Sequence, residues 1–215
     1  MAPYASLRRT EVGCRPMKSK VSTVSEGTED RTDELVTNFL ASNLRVDVRK
    51  GRVELMGHPI MIFRFEFLAA IQKQLETTIG PSAKGVMYLA GERAAQGVLP
   101  AMADRLKDLS SGKDSIIAMK RMSDIWATIG VGRATITAFS PEDGRYSFKI
   151  EDGTFPATYG PSSKPVCHLW AGWAAGVVKR LFGRDVLCDE VQCRAMGARF
   201  CEFEIRPHGG LPPKP

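Results

Sequence analysis

The chain of 215 residues is poor in cysteine, histidine and long apolar runs. Its five cysteines are too few and too unevenly placed for the disulfide framework of a small secreted protein. The most apolar run, HPIMIFRFEFLAAI, carries Arg64 and Glu66 and is too short and too polar to span a bilayer. The first residues contain no continuous apolar segment of the kind found in secretory signals. We therefore expect a cytoplasmic protein without a membrane span.

The bulk composition is that of an ordinary globular chain. Hydrophobic residues make up 43% of the chain and charged residues 25%, which is enough for a single domain with a real core. The formal net charge of +6 is modest, and part of it comes from the N-terminal residues. We therefore expect no nucleic-acid partner.

Three segments differ in their capacity to bury apolar surface. Residues 1–32 are polar and rich in Ser, Thr, Arg and Glu, which predicts a disordered basic tail. Residues 33–207 predict one folded domain, and residues 208–215 predict a flexible C-terminal tail.

The folded part alternates between blocks of strands and blocks of helices. Alternating patterns predict a hairpin around Lys50-Gly51 and strands over 132–140, 145–152, 185–193 and 198–205. Apolar residues at helical spacing predict helices over 62–79, 82–109, 114–130 and 163–183. Strands joined by short turns pair antiparallel, so this order predicts an α+β fold with helices packed on one antiparallel sheet.

The second predicted helix carries Gly85, Gly91 and Gly97 at a spacing of six residues. Glycine inside a helix costs about 1 kcal/mol relative to alanine. Its repetition therefore suggests that a neighbouring backbone or a ligand approaches this helix closely.

Three of the five cysteines lie in one stretch, CDEVQCRAMGARFCEFEI, which reads as a hairpin with a turn at Gly197. In such a hairpin Glu190, Cys193 and Cys201 can converge near one end of the sheet. Glu190 and Cys193 have opposite parity in a straight strand. They meet only if the strand bends or ends near residues 191–192.

A metal site, a redox pair and an ordinary core all remain open for this stretch. Cys167 lies at the start of the helix that precedes the hairpin, and it can complete a closed zinc site with Glu190, Cys193 and Cys201. Alternatively, Cys193 and Cys201 can form a redox disulfide, or the thiols can serve as small hydrophobic core residues. Cys188 has the parity of Glu190 and reads as a core or cavity-lining thiol.

The segment CHLWAGWAAGVVKRLFGRDVLCDEVQCRAMGARFCEFEI resembles the C-terminal signature of the 4-vinyl reductase domain family. That signature contains a Cys, a Gly- and Ala-rich helix, a strand with Glu, and a later Cys, Ala, Gly and Cys-x-Phe. A looser resemblance reaches back to about Arg45. The resemblance implies the fold shared by TRAPP-type Golgi transport subunits, nitric-oxide-signalling domains and the sensing domains of phenol- and toluene-responsive regulators.

The resemblance also implies a structural Zn²⁺ held by Cys167, Glu190, Cys193 and Cys201, which match the ligand positions of those regulators one by one. It further implies an apolar cavity for a hydrophobic or aromatic small molecule, in a domain that forms a homodimer and passes its signal to a partner protein. The candidate residues for the cavity wall are Trp170, Ala174, Cys188, Trp126, Phe139, Phe148 and Tyr88.

The sequence gives no positive reason for catalysis. No G-x-G-x-x-G dinucleotide fingerprint follows a strand. A zinc ion with four protein ligands lacks the open position that catalysis requires. We therefore favour a non-catalytic sensor or carrier. The alternatives left open are a tetrapyrrole 4-vinyl reductase or its accessory protein, and a pure assembly subunit.

Overall fold

The computed structural model of the chain describes residues 42–55, 57–106 and 115–209. The predicted N-terminal tail and residues 210–215 lie outside this part. The strands are β1 (Leu44–Asp47), β2 (Arg52–Leu55), β3 (His58–Ile60), β4 (Arg133–Ser140), β5 (Arg145–Glu151), β6 (Val186–Gln192) and β7 (Cys201–Pro207). The helices are α1 (Phe65–Ile79), α2 (Ser82–Leu106), α3 (Ser115–Thr128), α4 (Thr154–Tyr159) and α5 (His168–Phe182), with a 3₁₀ turn at Arg194–Met196.

Four strands form the main sheet in the order β4-β5-β7-β6, and every neighbouring pair is antiparallel. Buried and less buried residues alternate along β5 and β7, which is typical of a sheet with one covered face. The covered face carries Tyr146, Phe148 and Ile150 from β5 and Cys201, Phe203 and Ile205 from β7. The predicted α+β class with helices on an antiparallel sheet is confirmed.

Helices α2 and α5 cross at glycines that leave no room for a side chain. A Cβ on Gly91 would lie 2.0 Å from the Leu169 carbonyl oxygen, and one on Gly172 would lie 1.9 Å from the Tyr88 carbonyl oxygen. The predicted close approach at Gly91 is therefore confirmed, and the neighbour is a helix backbone. Gly85 has nothing within 4 Å of such a Cβ, so it takes no part in this crossing.

A smaller sheet, β1-β2-β3, precedes the helices. Its first hairpin turns at the predicted place, with Gly51 at φ 60°. The short strand β3 and the six-residue helix α4 were not predicted, because neither is long enough to show a periodic pattern. Helix α5 begins at His168, five residues later than predicted, because Pro165 disfavours helical geometry in the residue before it.

Within the described ranges, no helix is long and apolar enough to cross a membrane.

Candidate metal centre and apolar cavity

The end of strand β6 carries the irregularity that the cysteine-rich stretch requires. The register of β6 against β7 shifts between Glu190 and Gln192, so Val191 is left over in the ladder. A bulge of this kind changes the side-chain parity of the residues that follow it. Glu190 and Cys193 can therefore point to the same place, although three positions separate them.

The structure brings Cys167, Glu190, Cys193 and Cys201 together. One donor atom from each of these four residues lies within 4.8 Å of all the others. The Sγ atoms of Cys167 and Cys201 are 3.7 Å apart. Two thiolates on one tetrahedral zinc ion are about 3.8 Å apart, given a Zn–S bond of about 2.3 Å. A disulfide would need about 2.05 Å, so this spacing suits metal ligation better than a cystine.

Hydrogen bonds hold the donors in place and leave one buried oxygen free. The Cys167 backbone N–H donates to Oε2 of Glu190 at 2.8 Å, and the Arg194 backbone N–H donates to Sγ of Cys201 at 3.4 Å. Oε1 of Glu190 is buried and has no hydrogen-bond partner among the described residues. A buried carboxylate oxygen without a partner is costly. A cation at the centre of the cluster would satisfy it, so these residues fit a monodentate carboxylate ligand.

The pKa values of the cluster show how the four groups share charge when only protons occupy them. Hydrogen bonds from Cys167 and Cys201 lower the pKa of Cys193, whereas the bonds to Cys193 and Cys201 raise the pKa of Cys167. Burial, followed by the charge of Cys193, raises the pKa of Glu190 to about 8. The cluster therefore holds protons that a bound dication would displace.

The donor set has a clear chemical preference. Three thiolates and one carboxylate are ligands that zinc accepts, and four protein ligands leave no coordination position for a substrate. The thiols of Cys167, Cys193 and Cys201 are each at most 2% exposed. This arrangement could fasten α5 to the β6-β7 hairpin, but it has no open site for hydrolytic chemistry.

A second feature is a small apolar cavity of about 30 Å³ between α3, α5 and the strands β4 and β5. This volume holds a single water-sized molecule. Its wall is formed by Met119, Met122, Ser123, Trp126, Ala134, Ile136, Phe148, Trp173, Ala174 and Val177. Trp126 is 4% exposed, and its Nε1–H has no acceptor among the described residues.

The seven residues predicted for the cavity wall fall into two groups. Trp126, Phe148 and Ala174 line the cavity. The other four pack elsewhere in the core. Phe139 contacts Tyr146 and Phe182. Trp170 contacts Phe65 and Trp126. Tyr88 accepts a hydrogen bond from the backbone of Cys188 at 2.9 Å.

Sequence reasoning missed most of the cavity wall, including Trp173, Met119 and Met122. Trp173 lies one residue before Ala174, and Met119 and Met122 are three residues apart, so helical spacing alone does not separate cavity positions from core positions. The usable signal was the pair of methionines, because flexible side chains often border adaptable cavities.

With this geometry in hand, the chain can be compared with known proteins. Residues 146–207 match the model of the 4-vinyl reductase domain. The match confirms the resemblance to the 4-vinyl reductase family for this part of the chain. All four clustered donors lie inside the matched residues, whereas the part of the cavity wall on α3 and β4 lies before them.

Two solved structures share the fold. The phenol-responsive sensory domain of the transcription activator PoxR, solved with phenol, has a TM-score of 0.66 and 23% identity, and covers 86% of this chain and 92% of its own. Subunit 3 of a trafficking protein particle complex from Naegleria fowleri, covalently bound to palmitic acid, has a TM-score of 0.52 and 14% identity. It covers 69% of this chain and 98% of its own.

One relative matches at the level of sequence. The uncharacterized protein MJ1642 of Methanocaldococcus jannaschii is 28% identical over 87 residues. The aligned part covers 40% of this chain and 52% of that protein, which is about half of its length.

Proposed function

We propose that this chain is a small-molecule-binding sensor domain that encloses a hydrophobic or aromatic ligand in the cavity beneath α3 and α5. The observation that carries the proposal is the apolar cavity whose wall includes Trp126, Trp173 and Phe148. The fold shared with a phenol-responsive sensory domain supports the same function. A signal from such a domain would pass to a partner protein.

The ligand would enlarge the cavity when it enters. The present volume of about 30 Å³ is smaller than an aromatic ring requires, but the side chains of Met119 and Met122 form one wall. Methionine side chains adapt to irregular space at low cost. Burying a ring contributes about 25 cal/mol per Å² of apolar surface, which is enough for useful affinity without a charged contact.

The unpaired indole of Trp126 favours a ligand that carries one hydrogen-bond acceptor. Its Nε1–H is buried without a partner among the described residues, and the residue lines the cavity. A hydroxyl or carbonyl oxygen on the ligand would satisfy this donor. Polar groups in such sites orient a ligand that is otherwise held by apolar contact.

Titration of the purified protein with toluene and phenol, followed by tryptophan fluorescence, tests this function. Ligand entry should alter the emission of Trp126 and Trp173, which line the cavity. Ala174→Leu fills part of the cavity and should abolish the response to both compounds. Ala127→Leu, at an exposed position of α3, is the matched control and should respond like the wild type.

The function would be wrong if Ala174→Leu bound both compounds as tightly as the wild type, or if no apolar compound altered the fluorescence. Purified protein that retained a tetrapyrrole with its characteristic absorbance would instead favour the tetrapyrrole pathway.

We further propose that Cys167, Glu190, Cys193 and Cys201 hold a structural Zn²⁺. The support is the mutual spacing of the four donors and the orphaned Oε1 of Glu190. The ion would fasten the N-terminus of α5 to the end of the β6-β7 hairpin. Reduced thiols persist in the cytoplasm, and we propose that location.

We also propose that the domain forms a homodimer through the apolar side of α1 and the segment that leads into it. Phe63, Phe67 and Ile71 are spaced by four residues, and their exposed fractions are 51%, 53% and 39%. Met61 and Ile62 extend the same exposed apolar surface. Exposed patches of this kind mark interaction surfaces.

Sedimentation equilibrium of the wild type and of Phe67→Asp tests the dimer. The wild type should sediment as a dimer and the variant as a monomer with unchanged helix content. A monomeric wild type at micromolar concentration would contradict the proposal.

A further inference from the structure

A polar cleft separate from the apolar cavity opens beside the turn between α1 and α2. It has a volume of about 380 Å³, which falls within the range of small-molecule sites. One wall is the α1-α2 turn with Glu76, Pro81 and Lys84, and the other is the segment before α5 with Lys164 and His168. None of these residues lines the apolar cavity.

The carboxylate of Glu76 is already engaged on the protein side. Its Oε1 accepts a hydrogen bond from Nε2 of the fully buried Gln72 at 2.9 Å, and its Oε2 accepts one from the Tyr159 hydroxyl. The same Nε2 of Gln72 donates to the Val166 carbonyl oxygen at 3.0 Å. These bonds fix one side of the cleft relative to the other, so the cleft is held open in a defined shape.

The two lysines of the cleft are uncompensated. Among the described residues, neither Lys84 nor Lys164 has an ion-pair partner within 4.0 Å, whereas Lys179, outside the cleft, pairs with both Glu92 and Asp185. With one engaged carboxylate and two ammonium groups, the wall of the cleft carries a formal charge of about +1 when histidine is neutral. A cleft with an excess of one sign concentrates ligands of the other sign.

We propose that this cleft binds a small organic carboxylate, with its negative group held by Lys84 and Lys164. A monoanion matches the single uncompensated charge of the wall, whereas a phosphate dianion exceeds it. Pro81, Pro165 and Val166 supply apolar wall for the hydrocarbon part of such a ligand. The Nε–H or Nδ–H of His168 offers a further donor.

Calorimetric titration of the full chain with benzoate tests the site, with benzamide as the uncharged analogue and inorganic phosphate as the alternative oxyanion. Benzoate should bind at least tenfold more tightly than either probe. Lys84→Met and Lys164→Met should each weaken benzoate binding about tenfold, as expected when a charge-assisted hydrogen bond is lost. Lys120→Met, at an exposed position on α3, should leave the affinity unchanged.

The apolar cavity provides the decisive comparison, because it is the other place where an aromatic ring could lie. Ala174→Leu should not alter benzoate binding, since Ala174 lines only the apolar cavity. The inference is overturned if Ala174→Leu abolishes benzoate binding, if the two lysine variants bind like the wild type, or if benzamide binds as tightly as benzoate. Tighter binding of phosphate than of benzoate would also overturn it. None of these results depends on the proposed sensor function of the apolar cavity.

Discussion

The thiol-carboxylate cluster and the apolar cavity are built from the same helix and sheet, but in different ways. The cluster needs four side chains, all within the residues that match the 4-vinyl reductase domain, and its donor atoms lie within 4.8 Å of one another. The cavity wall takes ten side chains from four elements, and six of them precede the match. The first region depends on a few exact residue types, and the second depends on the combined shape of many.

This difference separates what the fold preserves from what a particular chain can vary. Replacing one donor of a closed metal site removes a ligand that no neighbour can supply. Replacing one side chain of an apolar cavity changes its volume, and adjacent side chains can compensate. We therefore expect the cluster to set the stability of the domain and the cavity wall to set its ligand.

The largest effect should come from Cys193→Ala. This variant should lose its zinc, and its free energy of unfolding should fall by about 4 kcal/mol more than that of a control when free zinc is about 1,000 times its Kd. Metal analysis and denaturant unfolding, each with and without a chelator, measure the two quantities. The matched control is Cys188→Ala, because Cys188 is a buried thiol of the same hairpin that lies outside the cluster.

Chelation sharpens this comparison. It should destabilise the wild type and Cys188→Ala alike, and it should have no effect on Cys193→Ala. Equal zinc content in the two variants would show that the cluster is not a metal site.

The next largest effect should come from Gly172→Ala at the crossing of α2 and α5. The new Cβ would lie 1.9 Å from the carbonyl oxygen of Tyr88, and because that atom belongs to the backbone, the two helices must separate. We expect a loss of about 3 kcal/mol in the free energy of unfolding. The shift of α5 should weaken toluene binding, because Trp173 and Ala174 lie on that helix.

Gly85→Ala provides the opposite sign. Nothing lies within 4 Å of its added Cβ, so the substitution should stabilise helix α2 by about 1 kcal/mol. Zinc content should stay at the wild-type level in both glycine variants. If Gly172→Ala were as stable as Gly85→Ala, the helices could not be in backbone contact at this position.

The sequence was sufficient for the main elements and for the geometry of the cluster. The parity argument required an irregularity near residues 191–192, and β6 has its register shift between Glu190 and Gln192. The inward orientation of Phe203 and Ile205 also followed from the period of a strand, and both are buried. These inferences succeeded because they rest on spacing along one hairpin.

The cavity wall was harder to predict because it depends on contacts between distant elements. The position of Phe139 on β4 was compatible with the cavity, but its ring packs against Tyr146 and Phe182. Trp173 lines the cavity although the neighbouring Trp170 had been expected there. Which face of α5 meets α3 depends on the glycine crossing with α2, and periodicity within one helix does not reveal that crossing.

The smallest effect on stability should come from Trp126→Phe, and it tests the cavity wall most selectively. The substitution removes an indole N–H that is buried without a partner among the described residues, which offsets the apolar contact that is lost. We expect the free energy of unfolding to change by less than about 1 kcal/mol. The affinity for phenol should fall because its oxygen loses a donor, whereas the affinity for toluene should hold. Trp170→Phe is the matched control, because it removes an equally unpaired N–H from a residue that does not line the cavity. Equal losses of phenol and toluene affinity in Trp126→Phe would show that Trp126 contributes only apolar surface, and equal losses in Trp170→Phe would place the ligand on the other side of the aromatic cluster.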